Sequence, residues 1–374
     1  MHHYYFDHNA TTPVSAEVLE AMLPVLTEVY GNASSIHYFG QMARQKLDAA
    51  RRTVAAMLGG SAEEIVFTSG GTEADNLAVL GAAQDGHVIT TAIEHPAVLA
   101  ATGECASMTA VRVDGRGMVD PDEIRRALRP GTRLISVMHA NNELGVVQPI
   151  DEIAKIAQEA GVAFHSDGVQ AAGKIPVRAA AADLYSISGH KIYAPKGIGA
   201  LFVRKETKIA PRSYGGHHER GFRAGTENVA GAVALGRAVQ WVLDSGAAEQ
   251  AREAALRDHL EQAIADRVAD THVNGAGAPR TANTTNIRFD GVDSDALLIA
   301  LDLRGFAVSS GAACSSGATE PSHVLLAIGL TRPQARSSIR FSLGRANSIE
   351  QVDALIGAVA DAVAHLRKLA PAYA

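Results

Sequence analysis

The segment SISGHKIYAPKG, residues 186–197, places a lysine where a buried strand is expected to end. Lys191 stands between two short apolar runs, directly after Gly189 and His190, whereas surface lysines normally have mixed polar neighbours. Taken alone, such a lysine is most often a strand end whose ammonium group reaches into water. A lysine in this setting can also form a Schiff base with an aldehyde. The neighbouring segments must decide between these two interpretations.

Two other segments carry groups that complement such a lysine. Asp167 ends the strand-like stretch VAFHSD, and ligands of open α/β sheets bind outside the carboxyl ends of the strands. In TSGGT, residues 68–72, a strand runs into a helix through two glycines, so backbone N–H groups at the helix N-terminus can hold a phosphate. Alone, each feature has an ordinary structural explanation: an N-cap for Asp167 and a tight connection for the glycines.

Together these three features predict a pyridoxal 5′-phosphate site. The lysine binds the aldehyde, the aspartate keeps the pyridine nitrogen protonated, and the N-terminal amides hold the phosphate. His95, placed where a strand becomes a helix, can lie over a flat cofactor and move protons near neutral pH. His190 can reach a phosphate oxygen. Considered singly, each histidine is more often structural.

Cys314 lies in SSGAACSSGATEPSH, a loop-like segment rich in small and polar residues. A structural thiol would have large apolar neighbours, so we expect Cys314 to be accessible and reactive. Cys105 falls in a helical stretch and is expected to pack. The adjacent His217 and His218 lack the spacing of metal ligands, and no metal is expected.

Composition excludes several classes of protein. The chain has 374 residues and a formal net charge of −6, which argues against a nucleic-acid-binding protein. No apolar run is long enough to span a bilayer, and the start of the chain does not resemble a signal peptide. Two cysteines are too few for a disulfide framework. We therefore expect a cytoplasmic protein without a membrane partner.

Helix-like and strand-like segments alternate from residue 41 to about residue 205, which is typical of an α/β protein with a largely parallel sheet. The predicted strands cover residues 63–69, 87–93, 109–114, 133–140, 162–168, 183–189 and 198–204. The predicted helices between them cover residues 41–58, 96–107, 121–128 and 151–160.

After about residue 226 the pattern changes to two long alanine-rich helices, with a break expected at Ser245-Gly246. Predicted strands then cover residues 284–290, 306–310 and 337–344, and predicted helices cover residues 294–304 and 349–368. This layout predicts a smaller α+β domain. We assign residues 15–250 to a large α/β domain, and residues 1–14 with 251–374 to the small one, which carries the Cys314 loop.

With these features assembled, the chain resembles the NifS-like cysteine desulfurases, a group of class V, fold-type I pyridoxal phosphate enzymes. The resemblance extends through nearly the whole chain, in ordered blocks that include YFDHNATTPV, FTSGGTEADNLA, HSDGVQAAGK, SGHKIYAPKGIGAL and SSGAACSSGATEPSHVLLAIGL. It implies an aspartate aminotransferase-like fold, with a mainly parallel central sheet in a large domain and a smaller α+β C-terminal domain.

The resemblance also implies roles for single residues. Lys191 would hold the cofactor through a Schiff base, Asp167 would pair with the pyridine nitrogen, and Gln170 would bind the ring oxygen. His95 would stack on the ring and act as acid and base. The implied phosphate ligands are Gly71, Thr72, Ser188, His190 and, from the second subunit of a homodimer, Thr226. The implied ligands of the substrate carboxylate are Asn142 and Arg340, the latter through the fork of its guanidinium.

The implied reaction converts L-cysteine to L-alanine and leaves the sulfur on Cys314 as a persulfide, for delivery to an iron–sulfur scaffold or another sulfur acceptor. Alternatives with the same cofactor are a selenocysteine lyase and a class V aminotransferase. A catalytically inert sulfur-transfer scaffold is the alternative outside enzymes. One position departs from the family pattern, because Gly168 stands where an alanine is usual. If that methyl group packs on the ring face of the cofactor, its absence loosens the seat of the cofactor, so that cofactor affinity rather than the type of reaction is in question.

Overall fold

The computed structural model describes residues 2–310 and 320–369, which form twelve strands and eleven α-helices. The strands are β1 (Tyr4–Tyr5), β2 (Ile65–Thr68), β3 (His87–Thr91), β4 (Ser107–Val111), β5 (Thr132–Ser136), β6 (Ala163–Asp167), β7 (Leu184–Ser188), β8 (Gly199–Val203), β9 (Thr271–Asn274), β10 (Thr284–Phe289), β11 (Phe306–Ala307) and β12 (Ser338–Ser342). The helices are α1 (Ala16–Thr27), α2 (Tyr38–Leu58), α3 (Gly71–Ala83), α4 (Pro96–Gly103), α5 (Pro121–Ala127), α6 (Ile150–Ala160), α7 (Val229–Arg267), α8 (Ser294–Asp302), α9 (His323–Ala327), α10 (Arg332–Ala335) and α11 (Ile349–Leu369).

In the described part of the chain, a seven-stranded sheet has the order β2-β8-β7-β6-β5-β3-β4. Strand β8 is antiparallel to both of its neighbours, and the other pairs are parallel. Strands β2, β3, β7 and β8 are buried along their whole length, as expected for a sheet covered by helices on both faces. The predicted α/β class is confirmed, and every strand predicted between residues 63 and 204 is present within a few residues.

A second, antiparallel sheet has the order β12-β10-β9, and the short strands β1 and β11 pair in parallel beside it. Phe6 from the start of the chain is fully buried in the same apolar cluster as Phe289, Phe341 and Val359. The N-terminal residues therefore pack with the C-terminal part of the chain. The division into two domains stays a prediction.

Helix α7 corrects one expectation, because it runs without a break for 39 residues and crosses both Ser245-Gly246 and the predicted boundary at residue 250. A glycine inside a helix costs about 1 kcal/mol relative to alanine. Packing of α7 against α1, α2 and α11 offsets that cost. Gly236 permits close approach to α2, since a Cβ there would lie 3.0 Å from Cα of Ala50.

Helices α1, α9 and α10 and strands β1 and β9 were not predicted from the sequence. Over residues 2–310 and 320–369, no helix is both long and apolar enough to cross a membrane.

The topology brings several strand ends to one edge of the large sheet. Strands β2, β6 and β7 all finish at this edge, with Thr68, Asp167 and Ser188 as their last residues. Helix α3 begins there at Gly71. This is the edge at which ligands of α/β sheets bind.

Candidate active site

A cavity of about 360 Å³ opens at this edge. The following residues predicted from the sequence line it: Gly71, Thr72, His95, Asn142, Asp167, Gln170, Ser188, His190, Lys191 and Arg340. Thr226 is exposed and does not line this cavity. Cys314 lies outside the described residues. The fold therefore gathers most of the predicted site, and the individual roles stay predictions.

Lys191 ends the short 3-10 helix Gly189–Lys191, which follows β7 directly. Its Nζ donates hydrogen bonds to the backbone oxygens of Asn9, at 2.6 Å, and Ala10, at 2.7 Å. The N-terminal segment thus fixes the position of the amine at the cavity wall, where an aldehyde could reach it.

Asp167 is the last residue of β6 and is almost fully buried. Its Oδ1 accepts a hydrogen bond from the backbone N–H of Val169 at 2.9 Å. Burial raises the pKa of Asp167, while the charges of His95 and Lys191 lower it. A protonated pyridine nitrogen beside this carboxyl group would favour its ionised form.

His95 is the N-cap of α4, and its Nδ1 accepts a hydrogen bond from the N–H of Ala97 at 3.1 Å. Burial lowers the pKa of the imidazole. A neutral ring that accepts through Nδ1 carries its proton on Nε2. His95 can therefore donate a proton into the cavity.

Gln170 belongs to a buried network that was not predicted from the sequence. Its Nε2 donates to the backbone oxygen of Asn9 at 3.0 Å, and its Oε1 accepts from Nζ of Lys174. Nζ of Lys174 also donates to Oδ1 of Asn9 at 2.6 Å. Burial lowers the pKa of Lys174 well below its ordinary value. No local pattern in the sequence signalled this contact, because residues 169–174 form turns rather than a helix.

Arg340 lies on β12 with its side chain almost fully buried. The guanidinium donates to the backbone oxygen of Asn142 at 3.0 Å and to Oδ1 of Asp7 at 2.6 Å. Its Nε is buried and has no hydrogen-bond partner among the described residues. A positive group with spare donors at the cavity wall suits a carboxylate ligand. Asp7, like Asn9, was missed, since nothing in the sequence links it to β12.

The residues around the start of α3 fit a phosphate. A Cβ at Gly71 would lie 2.8 Å from Cγ2 of Val169, so only glycine fits there without a shift. The buried Oγ of Ser188 has no hydrogen-bond partner in the described part of the chain. Burial lowers the pKa of His190 to about 4, which keeps its ring neutral. Free amides, an unpaired hydroxyl and a lysine together suit an aldehyde-bearing phosphate ester.

The effect of Gly168 on cofactor affinity stays a prediction, and the structure shows where its missing side chain would lie. Val169 lines the cavity, whereas Gly168 is absent from its described lining. A Cβ at Gly168 would lie 1.9 Å from Cε1 of Tyr185. A methyl group at this position would thus overlap the ring of Tyr185, which occupies its place.

Comparison with known proteins agrees with this geometry. A curated relative named cysteine desulfurase, from Trichormus azollae, is 47% identical over 377 residues, covering 98% of this chain and 94% of the relative. A solved NifS-like protein superimposes with a TM-score of 0.90 at 34% identity, covering 97% of this chain and 100% of that one. A structure described as SspA in complex with cysteine has a TM-score of 0.82 at 35% identity, and the match covers 91% of this chain and 98% of that one.

Residues 4–355 match the family described as aminotransferase class-V. Members of this group use pyridoxal 5′-phosphate, so the predicted cofactor and the predicted resemblance are both confirmed. The chain belongs to the aminotransferase class-V family.

Proposed function

We propose that this chain is a cysteine desulfurase that converts L-cysteine to L-alanine and transfers the sulfur to Cys314. The observation that carries this proposal is the convergence of Lys191, Asp167, His95 and Arg340 on one cavity. The names of its relatives support the same reaction, and a cysteine complex of one similar protein supports the substrate.

Pyridoxal 5′-phosphate supplies an aldehyde for the substrate amine and an electron sink for the charge that develops on the α-carbon. Gly71, Ser188 and His190 would hold its phosphate, Asp167 its ring nitrogen and Gln170 its ring oxygen. Arg340 and Asn142 would orient the substrate by its carboxylate. As a free amine, Lys191 would accept the α-proton of the substrate, and His95 would move a proton through Nε2.

The sulfur then leaves the substrate for the enzyme. The thiolate of Cys314 attacks the substrate sulfur, so that a sulfur–sulfur bond forms and the carbon–sulfur bond breaks. The electron pair of the broken bond stays with the carbon fragment, which becomes alanine after protonation. Cys314 carries the persulfide. A class V aminotransferase would have no use for this cysteine.

A pair of cysteine variants tests the proposal. Cys314→Ala should keep the visible absorbance of the bound cofactor and lose alanine production from L-cysteine. The matched control is Cys105→Ala, because Cys105 is half-buried, its Sγ contacts the oxygen of Ala101 at 3.5 Å, and burial raises the pKa of its thiol. The control should form alanine at the normal rate. Full activity of Cys314→Ala would contradict the proposed sulfur transfer.

We also propose that the protein acts as a homodimer. Large apolar side chains are exposed along α1 and the segment that follows it, including Leu23, Tyr30, Ile36 and Tyr38. Ile36 is 91% exposed, which is costly for an isoleucine in water. A second copy that covers this surface could also place its Thr226 at the cavity. Sedimentation should report a dimer, and Ile36→Asp should shift it toward the monomer.

A sulfur-acceptor protein, such as an iron–sulfur scaffold, is the proposed partner of the persulfide, and the cytoplasm is the proposed location. Adding a candidate scaffold to the enzyme and L-cysteine should increase the rate of sulfur release. An acceptor that leaves this rate unchanged is not the partner.

A further inference from the structure

Gly168 is a glycine for reasons of space. It is not among the residues with positive φ, so its backbone conformation is open to other residues. A Cβ there would nevertheless lie 1.9 Å from Cε1 and 2.1 Å from Cζ of Tyr185. Tyr185 is fully buried and lies opposite Ser166 in the sheet, so its ring cannot turn away into solvent. The ring of Tyr185 occupies the place of the missing side chain.

Tyr185 also binds a second buried residue. Its hydroxyl shares a hydrogen bond of 2.7 Å with Nδ1 of His139, and the two rings meet edge to face. Burial lowers the pKa of His139 to about 4 and raises that of Tyr185. Both groups are therefore neutral near pH 7, and this hydrogen bond links two uncharged side chains.

The backbone after Asp167 is tied to His139 on one side and to β7 on the other. The backbone N–H of His139 donates to the backbone oxygen of Asp167 at 2.9 Å. The backbone N–H of Gly168 donates to the backbone oxygen of Ser186 at 3.0 Å. The peptide group that joins Asp167 to Gly168 is thus held from both sides, by β7 and by the segment after β5. A shift of His139 or Gly168 would move the carboxyl group of Asp167.

Gly168 also begins the turn that forms one wall of the cavity. Its backbone oxygen accepts hydrogen bonds from the N–H groups of Ala171 and Ala172, at 3.0 and 2.9 Å. Val169 and Gln170, which lie inside this turn, both line the cavity. Displacing Gly168 would therefore displace these two residues along with Asp167.

We propose that Tyr185 and His139 are positioning residues that hold Asp167 in place for the pyridine nitrogen, and that Gly168 is required because Tyr185 fills the space of its Cβ. Tyr185 and His139 do not line the cavity in the described structure, so they act through Asp167. The inference rests on the proposed role of Asp167.

The hydroxyl of Tyr185 is tested first. Tyr185→Phe keeps the ring and removes only the hydrogen bond to His139. The net free energy of one such hydrogen bond corresponds to about a three- to ten-fold change in an equilibrium constant. We expect the dissociation constant of pyridoxal 5′-phosphate, measured by absorbance on the full-length apoprotein, to rise by that factor. The circular dichroism of the bound cofactor should weaken as well.

Phe202→Leu is the matched control, because Phe202 is a buried aromatic residue opposite Tyr185 on β8. It should lower the melting temperature of the apoprotein and leave cofactor affinity and circular dichroism unchanged. If Tyr185→Phe leaves both cofactor signals at their normal values, the positioning role is wrong. A control that weakens both signals as much as Tyr185→Phe would equally overturn it.

A double substitution tests the role of Gly168. Gly168→Ala should raise the dissociation constant of the cofactor by about ten-fold or more, because a methyl group would overlap the ring of Tyr185. In a chain that already carries Tyr185→Leu, Gly168→Ala should change the dissociation constant of the cofactor by about two-fold or less, because the smaller leucine side chain leaves room for the methyl group. This second comparison holds even if Gly168→Ala alone does not fold. An equal effect of the alanine in both backgrounds would overturn the inference.

These outcomes are separable from a failure of the proposed function. A natural protein that does not bind pyridoxal 5′-phosphate at Lys191 would refute the proposed site as a whole. Normal binding in the natural protein, with equal binding in all the variants, would refute only the positioning roles of Tyr185 and His139.

Discussion

The guanidinium of Arg340 is held by the carboxylate of Asp7, at 2.6 Å, from the opposite end of the chain. The same guanidinium donates to the backbone oxygen of Asn142 and faces the cavity. Arg340 is therefore oriented before any ligand arrives, and a preoriented fork of donors binds a carboxylate with little loss of side-chain entropy.

Arg340→Lys should weaken binding of L-cysteine. One ammonium group cannot serve Asp7, Asn142 and a substrate carboxylate with the geometry of a guanidinium, so we expect KM to rise by about ten-fold or more. Steady-state kinetics of alanine formation would measure it. The control is Arg288→Lys, since Arg288 pairs with Asp290 and does not line the cavity in the described structure. An unchanged KM in Arg340→Lys would remove Arg340 from the substrate site.

Ser188→Ala should separate cofactor binding from stability. The buried Oγ of Ser188 has no partner among the residues described, so its removal should not lower the melting temperature of the apoprotein. The dissociation constant of pyridoxal 5′-phosphate should rise by about three- to ten-fold, because a phosphate ligand is lost.

Ser186→Ala is the contrasting variant on the same strand. The Oγ of Ser186 already shares a hydrogen bond with Nε2 of His165 at 3.0 Å. Loss of this hydrogen bond in Ser186→Ala should lower the melting temperature of the apoprotein and leave cofactor affinity nearly unchanged. Cofactor affinity that survives Ser188→Ala would show that this hydroxyl does not contact the phosphate.

Glu94 should make stability depend on pH. Burial raises the pKa of this carboxyl group to about 8 in the folded protein, from an ordinary value of 4.5. Between these values the folded state keeps a proton that the unfolded chain has released. The free energy of unfolding contributed by Glu94 is therefore fully present below pH 4.5 and is lost as the pH rises to about 8.

Glu94→Gln imitates the protonated acid and should remove this contribution. Chemical denaturation of the apoprotein at several pH values would give the slope of the free energy of unfolding against pH for the natural protein and for the variant. We expect the free energy of unfolding to fall less steeply with rising pH in the variant. Equal slopes in both proteins would show that Glu94 is ionised in the folded state.

The sequence predicted the large sheet because its strands are short apolar runs that alternate with helical periodicity. It also predicted Lys191 and Asp167, since chemically unusual residues at strand ends can be recognised locally. The continuity of α7 across Gly246 could not be predicted, because packing against other helices overrides local helix propensity there. Asp7 and Asn9 could not be assigned either, since their contacts depend on how the N-terminal segment folds back across the site.

Gly168 shows the same limit at a single position. The sequence revealed a departure from the family pattern but not the direction in which a side chain would point. Only the structure shows that the ring of Tyr185, 17 residues later in the chain, fills the space where a Cβ of residue 168 would lie. Compensation between Tyr185 on β7 and Gly168, which directly follows β6, is a property of the fold.

The proposed reaction depends most directly on a covalent bond between Lys191 and the cofactor. Borohydride reduction of the purified holoenzyme, followed by peptide mapping, should find the pyridoxyl label on the peptide that contains Lys191. Lys174 is the competing amine, because it is buried beside the same site and burial lowers its pKa. A label on Lys174, or a fully loaded protein with Lys191 unmodified, would contradict the proposed role of Lys191.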